Sequence, residues 1–144
     1  MDKFPPLLAA RVAGLGLNRA ELEANTRLTE RVVHDLNAAP ALPYEDAAFD
    51  AVVNAVSIQY LTRPLEVFRE VRRILAPGGI HVVAISHRMF AEKAIALWQS
   101  VSMEDRVRLV GAYFALSDGW DEPRVLDRSP EGADPLLIIS AHRL

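Results

Sequence analysis

Two apolar runs separated by an amphipathic segment place the strongest limit on how this chain can fold. Phe49 to Ser57 and Ile80 to Ser86 are almost continuously apolar, which is typical of parallel strands covered on both faces. Between them, apolar residues recur at helical spacing from Leu65 to Leu75, directly after Pro64, a residue suited to the first turn of a helix. This strand–helix–strand order predicts an α/β fold with a mostly parallel sheet.

The N-terminal part continues the alternation with shorter patterns. Arg11 to Leu17 and Arg31 to His34 are strand candidates, because each is a short apolar stretch. Between them, Asn18 with Glu21 three residues later forms a capping-box pattern, which predicts the start of a short helix.

The C-terminal part predicts a turn, a helical region and a final strand pair. Pro77-Gly78-Gly79 is expected to stop the preceding helix, whose charged residues from Glu66 to Arg73 predict a solvated, ion-paired face. Met89 to Ala115 predicts one or two helices. Arg124 to Asp127 and Leu136 to His142 predict antiparallel neighbours, because a proline- and glycine-containing loop joins them.

Size and composition exclude several classes of protein. The 144 residues are enough for one domain, 1–144, and the net charge of -3 offers no electrostatic footprint for nucleic acid or an anionic membrane. The chain has no cysteine, and His34, His81 and His142 do not share a metal-ligand spacing, so no metal site is expected. Met1 to Ala10 does not have the pattern of a signal peptide, and we expect a soluble, cytoplasmic protein.

Three sequence motifs occur here in the same order as in one protein family. They are Asp35-Leu36-Asn37 ahead of Leu42 to Val53, then Ser57 to Leu61, then Phe68 to Gly79 ahead of a strand. This order resembles the acidic motif, fourth strand and ExxRxLxPGG segment of class I S-adenosylmethionine-dependent methyltransferases of the type 11 kind. The resemblance begins near Val12 and implies a Rossmann-like methyltransferase sheet, mostly parallel with a C-terminal antiparallel hairpin.

The resemblance also implies S-adenosylmethionine as the cofactor, bound outside the carboxyl ends of the strands. The candidate cofactor-binding residues share such positions: Gly16, Asn18, Asp35, Leu36, Asn54, Ala55 and Gln59. Asp35 can accept a hydrogen bond from the exocyclic amine of adenine while Leu36 packs on the ring. Asn54 and Ala55 would face the amino-acid part of the cofactor, and Gln59 could close the site.

Each assignment has a purely structural alternative. Asp35 could be a solvated loop acid or a cap, Asn54 a satisfied polar residue at a strand end, and Gln59 an exposed loop residue. Ser86, His87 and Arg88 follow the fifth strand of the family, where substrates approach. They could instead cap the next helix or face water. No residue is assigned a catalytic role.

The chain departs from the family at its N-terminal end. Met1 to Ala10 carries no strand pattern and no glycine, so we expect the family's first strand and its glycine-rich loop to be absent. Gly16 stands where an acidic residue normally contacts the ribose, with Asn18 as a weaker substitute. A missing central strand would expose two sheet edges. One hypothesis is that a neighbouring subunit fills the gap in a homo-oligomer.

Three functions therefore stay open. The first is methyl transfer from S-adenosylmethionine to an unidentified acceptor, for which a small molecule is one option. The second is a truncated or degenerate module without catalysis, acting as a fragment or a protein-binding domain. The third is a nicotinamide dinucleotide-binding domain, suggested by Gly14-Leu15-Gly16 ahead of a helix. Its fingerprint requires a small residue at the position of Arg19.

Overall fold

The computed structural model describes residues 11–55, 58–86, 102–128 and 136–144. Their contacts divide the chain into two compact units, Met1–Ala39 and Pro40–Leu144, each with its own sheet. Among the described residues, no helix combines the length and the apolar composition needed to cross a membrane.

The first unit is a strand–helix–strand motif. Strand β1, Ala13–Gly16, runs parallel to β2, Glu30–Val33, with Ala13 opposite Glu30 and Gly16 opposite Val33. Helix α1, Arg19–Ala24, connects them. The predicted cap is confirmed, because the Asn18 side chain accepts a hydrogen bond from the backbone N–H of Glu21 at 3.2 Å.

The second unit contains a four-stranded sheet in the order β3-β4-β6-β5. Its strands are β3, Phe49–Ala55; β4, Leu75–Ser86; β5, Arg124–Asp127; and β6, Leu136–His142. Strand β3 runs parallel to β4, whereas β6 is antiparallel to both β4 and β5. The predicted C-terminal hairpin is therefore confirmed with the bounds that the sequence indicated.

Two helices cover one face of this sheet. A 3-10 turn, Ile58–Tyr60, leads to α2, Pro64–Ile74, which has Pro64 in its first turn as predicted. Helix α3, Met103–Ser117, starts after Ser102, whose hydroxyl accepts from the N–H of Asp105 at 3.2 Å. The rest of the helical region predicted from Met89 lies outside the described residues.

The core lies between these helices and alternate residues of β4. His81, Val83 and Ile85 are buried, and Phe68 of α2 and Phe114 of α3 pack over them. Because successive side chains of a strand point to opposite faces, this alternation marks the helix-covered face of the sheet.

The prediction that Pro77-Gly78-Gly79 marks the end of α2 is wrong. Helix α2 ends at Ile74, and Leu75 is already extended and pairs with Phe49. Residues 76–79 bulge out before Ile80 pairs with Ala51. The physical reason is that Leu75 adopts extended geometry to pair with Phe49, so the helix ends before Pro77 and the turn falls inside β4.

The charged face of α2 is ion-paired as predicted, but the expectation that it is solvated is wrong for the last turn. Glu70 and Arg73 have side chains only 23% and 31% exposed, and they bind each other and the loop ahead of β3. Arg72 donates to the carbonyl oxygen of Ser117 at 2.7 Å. These side chains hold neighbouring segments in place, because each finds a backbone acceptor or donor nearby.

Candidate functional site

Four of the predicted cofactor residues lie at the carboxyl-terminal edge of the first unit. Gly16 ends β1, and its carbonyl oxygen accepts from the N–H of His34 at 2.9 Å, directly after β2. Since β1 and β2 are parallel, Gly16 and Asp35 emerge at the same edge. Asn18 lies there too, but its side-chain oxygen caps α1.

The Asp35 loop has a fixed backbone. Asp35 Oδ1 accepts from the N–H of Asn37 at 2.9 Å, and the Asp35 carbonyl oxygen accepts from the N–H of Ala39 at 2.9 Å. His34 Nε2 lies 2.7 Å from the carbonyl oxygen of Ala39. Asp35 thus has the capping role named above as an alternative.

The capping role leaves part of Asp35 available to a ligand. Its side chain is exposed, and within the described ranges of the chain Oδ2 has no hydrogen-bond partner. Leu36, the next residue, is half-buried. A carboxylate oxygen beside an apolar side chain is suited to an amine-bearing aromatic ring, so this loop fits an adenine group.

Other predicted site residues lie at the carboxyl ends of strands in the second unit. Asn54 and Ala55 close β3, opposite Val83 and Ala84 of β4, so Ser86 at the end of β4 lies at the same edge. Ala55 is exposed and Asn54 is half-buried. Gln59 belongs to the 3-10 turn that follows β3. His87 and Arg88 lie outside the described residues.

His81 contacts a predicted site residue, although the sequence indicated no role for it in binding. Its ring is fully buried, and its Nε2 lies 3.2 Å from Nδ2 of Asn54. Burial lowers the pKa of His81 to about 3, so the imidazole is neutral at physiological pH. A polar residue at a buried position of β4 is the signal that could have identified it.

Arg106 is a second residue that the sequence did not indicate. It lies on α3 with 7% of its surface exposed, and its Nη1 donates to the carbonyl oxygen of Ser86 at 3.3 Å. Burial lowers the pKa of Arg106 from its usual value. A buried cation therefore contacts the end of β4, where the family resemblance implies that a substrate approaches.

Two surface cavities lie away from these strand ends. A groove of about 560 Å³ runs between α2 and α3, and a smaller cavity of about 220 Å³ follows α3 around Trp120. None of the predicted site residues that the structure describes lines either of them. In the described part of the chain, no three metal-ligating side chains cluster together.

Comparison with known proteins identifies the family of the chain. Residues 3–83, more than half of the chain, match the family model described as a methyltransferase domain. A ubiquinone/menaquinone biosynthesis C-methyltransferase, UbiE from a Ruegeria species, is 39% identical over 64 residues, covering 44% of this chain and 24% of the relative. The chain spans about a quarter of the length of such curated relatives.

Solved structures share the fold at low sequence identity. An S-adenosylmethionine-dependent methyltransferase from Mesorhizobium loti has a TM-score of 0.63 at 19% identity, covering 94% of this chain and 81% of that one. The [4+2]-cyclase SpnF has a TM-score of 0.64 at 16% identity, covering 92% and 66%. The predicted Rossmann-like methyltransferase fold is confirmed. By the match over residues 3–83, the chain belongs to the methyltransferase domain family.

Proposed function

We propose that this chain binds S-adenosylmethionine and takes part in methyl transfer to an acceptor. The main support for the proposal is the Asp35 loop. It lies within the residues that match the family model, and it offers a carboxylate oxygen next to an apolar side chain. A small-molecule acceptor and a cytoplasmic location are further parts of the proposal.

The proposal gives each strand end a task. Asp35 would accept from the adenine amine and Leu36 would pack against the ring, while Gly16 and Asn18 would lie beside the ribose. The amino-acid part would be held by Asn54, Ala55 and Gln59. Ser86, His87 and Arg88 would meet the acceptor.

The chemistry needs little more than positioning. When bound, the cofactor supplies a methyl group that its sulfonium already makes electrophilic. The residues of this chain hold the reactants in line and exclude water, which can account for a large share of the rate of a two-reactant step. A general base is needed only if the acceptor loses a proton, and no residue is assigned to that task.

We also propose that another subunit completes the sheet in a homo-oligomer. Within the described ranges, β1 pairs only with β2, and β3 pairs only with β4, so each sheet keeps an open edge. Open edges are templates for pairing with another strand. Light scattering after size-exclusion chromatography should give a dimer or larger assembly, and a stable monomer would contradict this part of the proposal.

The alternative is a module of the same family without catalysis. It is favoured by the fact that the Asn18 side-chain oxygen and Asp35 Oδ1 already accept local backbone hydrogen bonds. Isothermal titration separates the two. Heat of binding with S-adenosylmethionine and with S-adenosylhomocysteine supports the enzyme, whereas no heat with either supports the non-catalytic module. Binding of a nicotinamide dinucleotide alone would favour the third interpretation.

A further inference from the structure

A buried polar pair joins the candidate site to the core of the second unit. Nδ2 of Asn54, next to the last residue of β3, lies 3.2 Å from Nε2 of His81 in the middle of β4. The parallel register places Asn54 opposite Val83, two residues beyond His81, so both side chains point to the helix-covered face.

His81 itself cannot reach a ligand. Its ring is 0% exposed and is surrounded by aromatic side chains, with ring centroids 4.8 Å away at Phe68, 5.3 Å at Phe114 and 5.5 Å at Trp120. Such a cluster fixes the orientation of the imidazole. A histidine in this place can act on the site only through the side chain that it contacts.

We propose that His81 is a positioning residue that sets the orientation of the Asn54 amide at the carboxyl end of β3. This inference rests on the proposed function, because it assigns Asn54 to the amino-acid part of S-adenosylmethionine. The amide of Asn54 donates to Nε2 of His81, which puts the imidazole proton on Nδ1.

This orientation decides what Asn54 presents to a ligand. One N–H of its amide is used by His81, so the carbonyl oxygen and the second N–H are left for the cofactor. The carbonyl oxygen suits the ammonium group of an amino acid, and the N–H suits its carboxylate. A freely rotating amide would present both atoms to either group and would lose binding through the entropy of fixing it.

The Asn54–His81 pair lowers the stability of the fold relative to a purely apolar core. Within the described residues, Nδ1 of His81 has no hydrogen-bond partner although it is buried. A buried polar atom without a partner destabilises a fold. A phenylalanine would fill a similar volume among these aromatic rings without that penalty, which favours a role for the His81 nitrogen facing Asn54.

The test compares two ligands and four variants of the full chain. S-adenosylhomocysteine carries the amino-acid part, whereas adenosine lacks it, and both are titrated calorimetrically. His81→Phe removes the acceptor and keeps an aromatic ring, and Asn54→Ala removes the amide. The double variant completes the cycle. Val53→Ala is the control, because Val53 is 63% exposed and points to the opposite face.

We expect His81→Phe and Asn54→Ala each to weaken S-adenosylhomocysteine binding by about five- to tenfold. Adenosine binding should stay unchanged, and the double variant should be no weaker than the weaker single variant. Unchanged S-adenosylhomocysteine affinity in a folded His81→Phe chain overturns the inference. Equal losses for both ligands do so as well, since they indicate a general effect on the core.

A second readout does not depend on ligand. Nitrogen NMR of the wild-type imidazole should show the proton on Nδ1, and Asn54→Ala should shift the Nε2 resonance. A proton on Nε2, or no shift, overturns the inference even if His81→Phe does not fold. A wild-type chain that binds neither ligand overturns the proposed function itself. Normal wild-type binding with an unaffected His81→Phe variant overturns only the positioning role.

Discussion

Glu70 and Arg73 form a two-point ion pair on the last turns of α2. Arg73 Nε lies 2.9 Å from Glu70 Oε2, and Arg73 Nη2 lies 3.0 Å from Glu70 Oε1. The same side chains hold the loop ahead of β3. Arg73 donates to the carbonyl oxygens of Leu42 at 2.9 Å and Tyr44 at 2.8 Å, and Glu70 accepts from the N–H of Leu42 at 2.8 Å.

Removal of the Glu70–Arg73 ion pair should destabilise the second unit. Arg73→Ala breaks several charge-assisted hydrogen bonds at a partly buried site, so we expect a loss of about 2–3 kcal/mol in the free energy of unfolding. Urea denaturation measures it. Arg108→Ala is the matched control, because Arg108 also pairs with two acids on a helix but its side chain is 71% exposed. No measurable change in the free energy of unfolding is expected for Arg108→Ala. Equal losses in the two variants would contradict a stabilising role for the Glu70–Arg73 pair.

The free energy of unfolding should fall as the pH is lowered below 6.5, before the carboxylates become protonated. Burial lowers the pKa of His81 to about 3 from 6.5, so between these values the unfolded chain binds a proton that the folded chain does not. Stability therefore rises with pH across this window and is lost as pH falls below 6.5, by up to about 1.4 kcal/mol per pH unit. Denaturation at pH 7.0, 6.0 and 5.0 measures the slope.

His81→Phe should remove this slope. Between pH 6 and 5, the variant should lose much less stability than the wild-type chain. The carboxylates contribute lower in the range, because the Arg73 hydrogen bonds hold the pKa of Glu70 below 4.5. An identical slope in the variant would show that His81 does not carry this pH dependence.

Two glycine-to-alanine substitutions should have opposite effects. A Cβ at Gly79 would lie 2.8 Å from the carbonyl oxygen of Ala76 and 3.1 Å from that of Asp50, so Gly79→Ala should destabilise the bulge in β4. Gly111 lies inside α3, and no atom of the described residues outside the helix backbone lies within 4 Å of a new Cβ, so Gly111→Ala should stabilise the chain by about 0.5–1 kcal/mol. Thermal denaturation of both variants checks the sign, and a stabilised Gly79→Ala chain would argue against the tight turn.

Substitutions of Asp35 separate its two tasks. Asp35→Ala removes the loop cap and the available oxygen, and we expect nucleoside binding to weaken by about 1–3 kcal/mol. Asp35→Asn keeps an oxygen for the Asn37 N–H and so keeps the turn, but it removes the charge. It should bind with intermediate affinity. Calorimetry with adenosine measures both, and unchanged dissociation constants would take Asp35 out of the site.

Local patterns in the sequence predicted much of the fold. Arg124–Asp127 and Leu136–His142 form the strands that were predicted, because apolar runs and turn residues are local signals. Asn18 caps its helix for the same reason. The end of α2 was misplaced because extended geometry at Leu75 and its pairing with Phe49 outweighed the turn signal of the glycines.

Contacts between distant residues were not predictable in this way. The Asn54 and His81 side chains meet although 27 positions separate them, and Arg106 reaches the carbonyl oxygen of Ser86 across 20. Both contacts depend on the register of β3 with β4 and on how α3 crosses the sheet. Composition and periodicity carry no information on either, so the strand ends could be predicted but not the side chains beneath them.

The proposed function depends on the Asp35 loop binding the adenosine part of the cofactor. Backbone amide NMR during titration with S-adenosylhomocysteine tests it most directly. The expected result is that the amide signals of Gly16, Asp35 and Leu36 shift with a single dissociation constant. Amide signals of these residues that stay unchanged up to saturating ligand would contradict it.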